Sequence, residues 1–171
     1  MDNYTKLAQQ AVETYLKEDK TIKPPEDLPK EMLIKKAGVF VSLKKDKKLR
    51  GCTGTFVPTQ KNLAEEIIQN AISAATKDLR FHPVTKKELK DLSYSVDVLS
   101  KPEPVTDVNQ LDPKKYGIIV ANQFGYRGLL LPDLDGVDNV ETQLRITCDK
   151  AGINYQKEPL SIERFTVERH S

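Results

Sequence analysis

A chain of 171 residues is close to the length of one ordinary domain, about 150 residues, which excludes a large multidomain assembly and leaves one domain or two small lobes. Hydrophobic residues make up 38% of it, and a chain of this size buries about 70% of its unfolded surface, so a proper core is within reach. The 27 Lys and Arg against 25 Asp and Glu leave a net charge of +2, too balanced to announce nucleic acid or a lipid surface, and 6% aromatics with no Trp argue against a base-stacking platform.

The opening Met-Asp-Asn-Tyr-Thr-Lys has no basic region followed by an apolar run, and nothing approaches the roughly 20 apolar residues of a membrane span. A soluble, cytoplasmic protein with no membrane partner is expected. Cys52 and Cys148 make no disulfide framework, and a closed zinc site would need both of them together with His82 and His170. Reduced thiols are expected, with no metal and no cofactor.

Tyr4, Leu7, Ala8, Ala11, Val12, Tyr15 and Leu16 recur at helical spacing, with Asp2 or Asn3 as N-cap. Pro24, Pro25 and Pro29 then impose an extended connection. Residues 39–43 and 49–56, separated by a lysine-rich turn, read as an antiparallel hairpin whose second strand is weakened by Gly51 and Gly54. From Leu63 to Ala75 the apolar positions cover a wide face of a central packing helix, and Glu65, Glu66 and Gln69 are expected to face water. Thr85-Lys86-Lys87-Glu88 has the capping-box form that starts a short helix. Tyr94, Val96 and Val98 alternate with Ser95 and Asp97 in a half-buried strand stopped by Pro102 and Pro104.

A second hairpin follows in Ile118–Ala121 and Gly128–Leu131, with its turn through Asn122 to Gly125. The spacing of Val140, Leu144, Cys148 and Ala151 predicts a helix capped at Asp138 or Asn139 and closed by Gly152. Leu160, Ile162, Phe165 and Val167 read as one final strand. Hairpins and separate helices, with few strand-helix-strand units, give an α+β fold.

Three segments carry candidate chemistry. In Leu49-Arg50-Gly51-Cys52-Thr53-Gly54-Thr55 each glycine costs packing unless a ligand or another backbone approaches closely. Two readings stand: a ligand-facing strand, or a bulge with a buried cysteine. A nucleophilic Cys52 needs a depressed pKa, for which Arg50 at i−2 is the available cause. Asp78-Leu79-Arg80-Phe81-His82-Pro83 puts an acid and two cationic or titratable groups on a loop. Either it binds a ligand, with His82 as the weaker catalytic candidate beside Cys52, or Asp78 and Arg80 brace the end of the helix. Asp133–Asp138 lacks the ligands of a calcium loop and reads as a turn. Cys148, on an apolar helical face, reads as core.

Taken together, the segments resemble the AMMECR-type domain family, protein A of the microbial AmmeMemoRadiSam system. The resemblance is strongest over residues 38–152 of a single domain, 1–171, built as two intertwined subdomains. Its most specific element is the Leu-Arg-Gly-Cys-Ile-Gly-Thr signature, present as residues 49–55 with Thr53 in place of Ile. Support comes from Ala74-Ala75 with Asp78-Leu79-Arg80-Phe81, Val96–Ser100 before Pro-Glu-Pro, Tyr116–Val120, Gly128–Pro132 and Lys150-Ala151-Gly152. Tyr116 stands where the family often has His and Ser95 where Glu is frequent, so no acid/base catalysis is placed at either position. The resemblance implies a two-lobed α+β fold, with antiparallel or mixed sheets flanked by helices and a cleft between the lobes.

Two functions are compatible with this reading. In the first, a cleft lined by Arg50, Gly51, Cys52, Thr53, Gly54, Asp78 and Arg80 binds a small anionic ligand, the guanidinium forks meeting its carboxylate or phosphate, or acts as an enzyme component. In the second, the protein is a noncatalytic module that docks onto a Memo-type or radical SAM protein. Nucleic acid is the weakest reading, since a lysine-rich turn serves equally as a solvated sheet edge.

Overall fold

A computed structural model describes residues 2–171 of the chain, which folds as two units. The first runs to Leu99 and takes back Glu168–Ser171, and the second is Ser100–Val167.

The first unit begins with α1 (Asn3–Glu18), capped by the Asp2 carboxylate, which accepts from the Thr5 amide. Its apolar face, Leu7, Ala8, Ala11 and Val12, is fully buried, as the helical spacing requires. A short α2 (Lys30–Ile34) follows Pro29 at its N-cap and buries Met32. The sequence did not suggest it, because five residues after a proline carry too little periodicity to register. Strands β1 (Val39–Lys45) and β2 (Lys48–Thr55) form the expected hairpin. β3 (Leu92–Leu99) pairs antiparallel with the other edge of β1, preceded by a 3₁₀ helix over Lys86–Asp91 that carries the Thr85/Glu88 capping box.

The central helix α3 (Leu63–Thr76) starts at an Asn62 cap. Leu63, Ile67, Ala71 and Ala74 are buried on it, sharing one core with Val39, Val41, Leu43, Val96 and Val98 of the sheet. One expectation fails on this helix. Glu66 does not face water: it is 1% exposed, its Oε1 accepting from the Thr55 and Thr59 hydroxyls and its Oε2 from the Thr59 and Gln60 amides. A buried carboxylate is tolerable only when its lone pairs are filled in this way.

The second unit holds β4 (Glu103–Val105), β5 (Gly117–Asn122), β6 (Arg127–Leu130), α4 (Val140–Ala151) and β7 (Leu160–Phe165). Its sheet has the order β4-β7-β5-β6. Pro104 sits inside β4 rather than beyond a strand end, at a sheet edge where a missing amide donor does no harm. Asn139 caps α4 and Gly152 ends it in the left-handed region at φ 69°. Cys148 is fully buried in a core with Ile118, Val120 and Leu144.

The single final strand is also corrected. After β7 the chain leaves this sheet, and β8 (Val167–His170) joins β3 in the first unit, giving the order β2-β1-β3-β8. The architecture is α+β, two mainly antiparallel sheets each with its own helices. No helix among the described residues is long and apolar enough to cross a membrane.

Candidate functional site

Gly51 explains the glycine-weakened strand. A Cβ placed on it would lie 2.1 Å from the Ala74 carbonyl oxygen, so of the two agents that can demand a glycine here, the one present is the backbone of α3. Gly54 lies under the Phe40 ring, whose atoms a Cβ would meet at 2.2 Å. Thr55, two residues after Thr53 and four after Gly51, bonds to Glu66 of α3. The pleat therefore puts Gly51, Thr53 and Thr55 on the helix side of the sheet and Cys52 on the other.

On that other side the register sets Cys52 opposite Ser42, and Ser42 opposite Ser95. The Ser42 hydroxyl donates to the Cys52 sulfur at 3.2 Å. Burial pushes the Cys52 thiol pKa up, opposed by the Ser42 bond and the positive charge of Arg80. At neutral pH the group is a thiol, and weakly nucleophilic.

Arg50 is the extra residue of a β-bulge. Leu43 pairs with Gly51 and Lys44 with Leu49, leaving Arg50 without an opposite number, and bulges redirect side chains in this way. Its Nε and Nη2 donate to Glu88 at 2.8 and 3.2 Å. Nη1 donates to the His82 carbonyl at 3.0 Å, and Nη2 also reaches the Pro83 carbonyl at 3.4 Å. Glu88 in turn accepts from the Thr85 amide and hydroxyl. The Arg50 bonds come first among the influences that hold its carboxyl down to about 2.

Asp78 ties the loop after α3 to the same strand. Its side chain is 7% exposed. Oδ2 accepts from the Cys52 amide at 2.9 Å and from Arg80 Nη2 at 2.7 Å. Oδ1 accepts from Arg80 Nε at 3.0 Å and from the Arg80 amide at 3.1 Å. Arg80, more than any other group, holds this carboxyl well below the usual carboxylate range. Arg80 itself is 60% exposed along its side chain. Its guanidinium lies 5.5 Å from the Phe81 ring centroid, with that of Arg50 at 6.0 Å from the same ring.

Arg50, Leu79, Arg80, Phe81 and His82 line an open concavity of about 430 Å³. The structure thus brings Arg50, Asp78, Arg80 and the His82 loop together beside Cys52. It gives the Cys52 sulfur Ser42 as its hydrogen-bonding neighbour, while His82 is exposed and engages Arg50 through its backbone. Among the described residues no group of three or more His, Cys, Asp or Glu converges as a metal site would require.

Sequence reasoning missed three members of this face. Ser42 looked like an ordinary strand residue. Glu88 was recognised as a cap but not as the Arg50 partner 38 positions away. Asp97, 6% exposed, is bound by Arg169 through Nε at 2.8 Å and Nη2 at 3.0 Å, a pairing that depends on β8 lying in this sheet.

Comparison with known proteins follows the same residues. The family model AMMECR1 matches residues 5–170. A Thermotoga maritima protein is 54% identical over 168 residues, covering 98% of this chain and 96% of that one. A Clostridium acetobutylicum protein is 50% identical over 170 residues, 99% of this chain but 36% of its own length, so the chain spans about a third of that relative. The crystal structure of the uncharacterized protein PH0010 from Pyrococcus horikoshii superposes with a TM-score of 0.89 at 35% identity, over 97% of this chain and 88% of that one. With the match running through both units and through the Arg50–Cys52 strand, this chain belongs to the AMMECR1 family.

Proposed function

We propose that the protein binds a small anionic ligand, a carboxylate or a phosphate, in the concavity between Arg80, Phe81 and His82. One observation carries the reading. Asp78 engages Arg80 through Nε and Nη2, while Nη1 has no hydrogen-bond partner among the described residues and the side chain is 60% exposed over an aromatic ring. A guanidinium fixed in this way presents its remaining donors without losing rotamer entropy on binding. Arg50 lines the same concavity, and its four hydrogen bonds make it the brace that sets the loop. The exposed His82 ring supplies a second N–H donor. Cys52, a hydrogen-bonded thiol with a raised pKa, fits a packing role beneath the site better than that of an acyl acceptor.

The reading is tested by titrating inorganic phosphate and succinate into ¹⁵N-labelled protein. Saturable shifts of the amides of residues 50–52 and 78–82 are expected, and Arg80→Lys should weaken them because the planar fork is lost while the charge stays. Equal affinity in Arg80→Lys and His82→Ala, or shifts confined to other regions, would refute the site.

A second reading, docking onto a protein partner of the Memo or radical SAM type, is favoured by Leu79. It is 100% exposed on a loop that Asp78 holds rigid, the kind of presented apolar side chain that serves as an interface anchor. A purified partner separates the two: capture that saturating phosphate leaves unchanged and Leu79→Ser abolishes supports docking, whereas saturable phosphate binding with no capture supports the anion site.

A further inference from the structure

The two sheets end in β2 and β8, and in β4 and β6. An uncovered sheet edge is a template for a foreign strand, and proteins blunt it with proline, with charge or with a covering group. Three of these edges are treated so. β4 carries Glu103 and Pro104, β8 carries Glu168 and Arg169, and on β6 the Leu129 carbonyl accepts from Lys150 Nζ at 3.1 Å. β2 differs: past the bulge at Arg50, its stretch Gly51-Cys52-Thr53-Gly54-Thr55 holds neither a charge nor a proline.

The register tells which backbone groups this edge offers. The Cys52 amide donates to Asp78 Oδ2, so it points away from β1, and Ser42–Cys52 is a pair without mutual backbone hydrogen bonds. By the alternation of an antiparallel ladder Gly54, opposite Phe40, also turns its amide and carbonyl outward. Among the described residues no second strand lies beside β2, and no hydrogen bond outside the β1 ladder engages Gly54 or the Cys52 carbonyl. Asp78 thus closes the edge at the Cys52 amide and leaves it open beyond. Glycine at position 54, with no side chain, lets another backbone come close.

The closed end of this stretch carries a cation. A strand laid on the edge runs out of partners at Cys52, whose amide Asp78 already holds, and Arg80 stands at that stop. Asp78 engages Arg80 through Nε and Nη2, while Nη1 has no hydrogen-bond partner among the described residues. The bonds that Asp78 accepts from Cys52 and Arg80 answer its own charge, so the group left to receive a ligand there is the guanidinium. A chain that ends where a guanidinium waits is matched by a terminal carboxylate.

We propose that the outer edge of β2 binds the carboxyl-terminal tail of a partner protein as an added antiparallel strand, its backbone pairing with Gly54 and its terminal carboxylate meeting Arg80. The direction follows from the stop: β2 runs from Lys48 to Thr55, so a tail that ends beside Cys52 runs opposite to it. The inference rests on the Arg80 anion site proposed above and names its ligand class, a peptide carboxylate whose backbone is read by strand addition. Uncharged, β-branched tail residues suit such a strand.

The probe is a synthetic peptide of about six residues, alternating valine and threonine, with fluorescein at its amino end and a free carboxyl terminus, followed by anisotropy. Saturable binding is expected, with slowed hydrogen exchange of the Gly54 amide in the saturated protein. Amidation of the peptide terminus, and Arg80→Lys in the protein, should each weaken binding about tenfold. N-methylation along the peptide should abolish binding at alternate positions and spare those between, the signature of a paired strand, and it leaves the protein's own fold untouched. The proposal is overturned by equal binding of the amidated peptide, by indifference to N-methylation, by unchanged exchange at Gly54, or by self-association of this chain through β2 that the peptide does not displace. Phosphate shifts at residues 78–82 without peptide binding overturn the tail alone, and absence of both overturns the anion site as well.

Discussion

The backbone amide of Cys52 donates to Asp78 Oδ2 at 2.9 Å, and the same carboxylate holds the guanidinium of Arg80. One side chain therefore fixes both the strand that carries the family signature and the loop that carries the exposed arginine. The geometry of the proposed anion site depends on that carboxylate being ionised, as does the Arg50–Glu88 brace next to it.

Acid should erode the stability that this corner of the molecule contributes. Both carboxyls have folded pKa values below their unfolded ones, so their contribution is complete above the ordinary carboxylate range and is lost as pH falls. For Glu88 the window runs from 4.5 down to about 2, and for Asp78 it extends lower still. Glu88→Gln is expected to cost about 2 kcal/mol at neutral pH, the scale of hydrogen bonds to a charged group, and to flatten the fall in stability across the Glu88 window. Urea unfolding at a series of pH values measures both; parallel pH curves for wild type and variant would contradict the role given to Glu88.

Gly51 offers a test of packing. Its missing side chain lets the Ala74 carbonyl of α3 come within 2.1 Å of where a Cβ would stand, and a backbone carbonyl cannot rotate away as a flexible side chain can. Gly51→Ala should destabilise by about 3 kcal/mol through displacement of the helix, whereas Gly125→Ala, in open space but at φ 86°, should act only through backbone strain and leave the first core intact. Near-UV circular dichroism and hydrogen exchange of α3 amides distinguish the two. An α3 protected as well in Gly51→Ala as in wild type would show that the helix does not rest on this strand.

The two cysteines should differ in access and agree in sluggishness. Cys52 is half-buried and Cys148 fully buried, and burial raises both thiols above their ordinary pKa. Iodoacetamide under native conditions is expected to label Cys52 first, slowly at pH 7 and faster as pH rises toward the thiol pKa. Peptide mapping by mass spectrometry reads the order. Rapid labelling of Cys52 at neutral pH would instead indicate a stabilised thiolate and revive a nucleophilic role for it.

What the sequence disclosed follows the range of the interactions involved. Helices α1, α3 and α4 show their buried faces in residues three and four apart, and for α1 and α4 the sequence offered two adjacent cap candidates each, of which the structure uses Asp2 and Asn139; the Asn62 cap of α3 was not read. The buried carboxylates were invisible for the same reason. Glu66 falls on a polar beat of α3, and nothing within that helix signals the Thr55 and Thr59 hydroxyls that reach it. The Asp97 partner, Arg169, is 72 residues away. The transfer between sheets after Phe165 left only a faint trace: Leu160 and Ile162 keep one parity, Phe165 and Val167 the other. At the candidate site the signature marked the strand correctly, but the bulge that redirects Arg50 emerges only in the pairing of Leu43 and Lys44.

The passage of β8 into the first unit has a consequence for biosynthesis. While residues 100–167 are being translated, the free side of β3 has no neighbour, and Asp97 has no counter-ion. At about 5–20 residues per second that interval lasts several seconds. During it the emerging first unit offers a ribosome-bound chain an unpaired strand edge, the element most prone to recruit a stray segment from a neighbouring polypeptide. The interval ends only when β8 arrives, bringing Arg169 to Asp97 and closing the sheet.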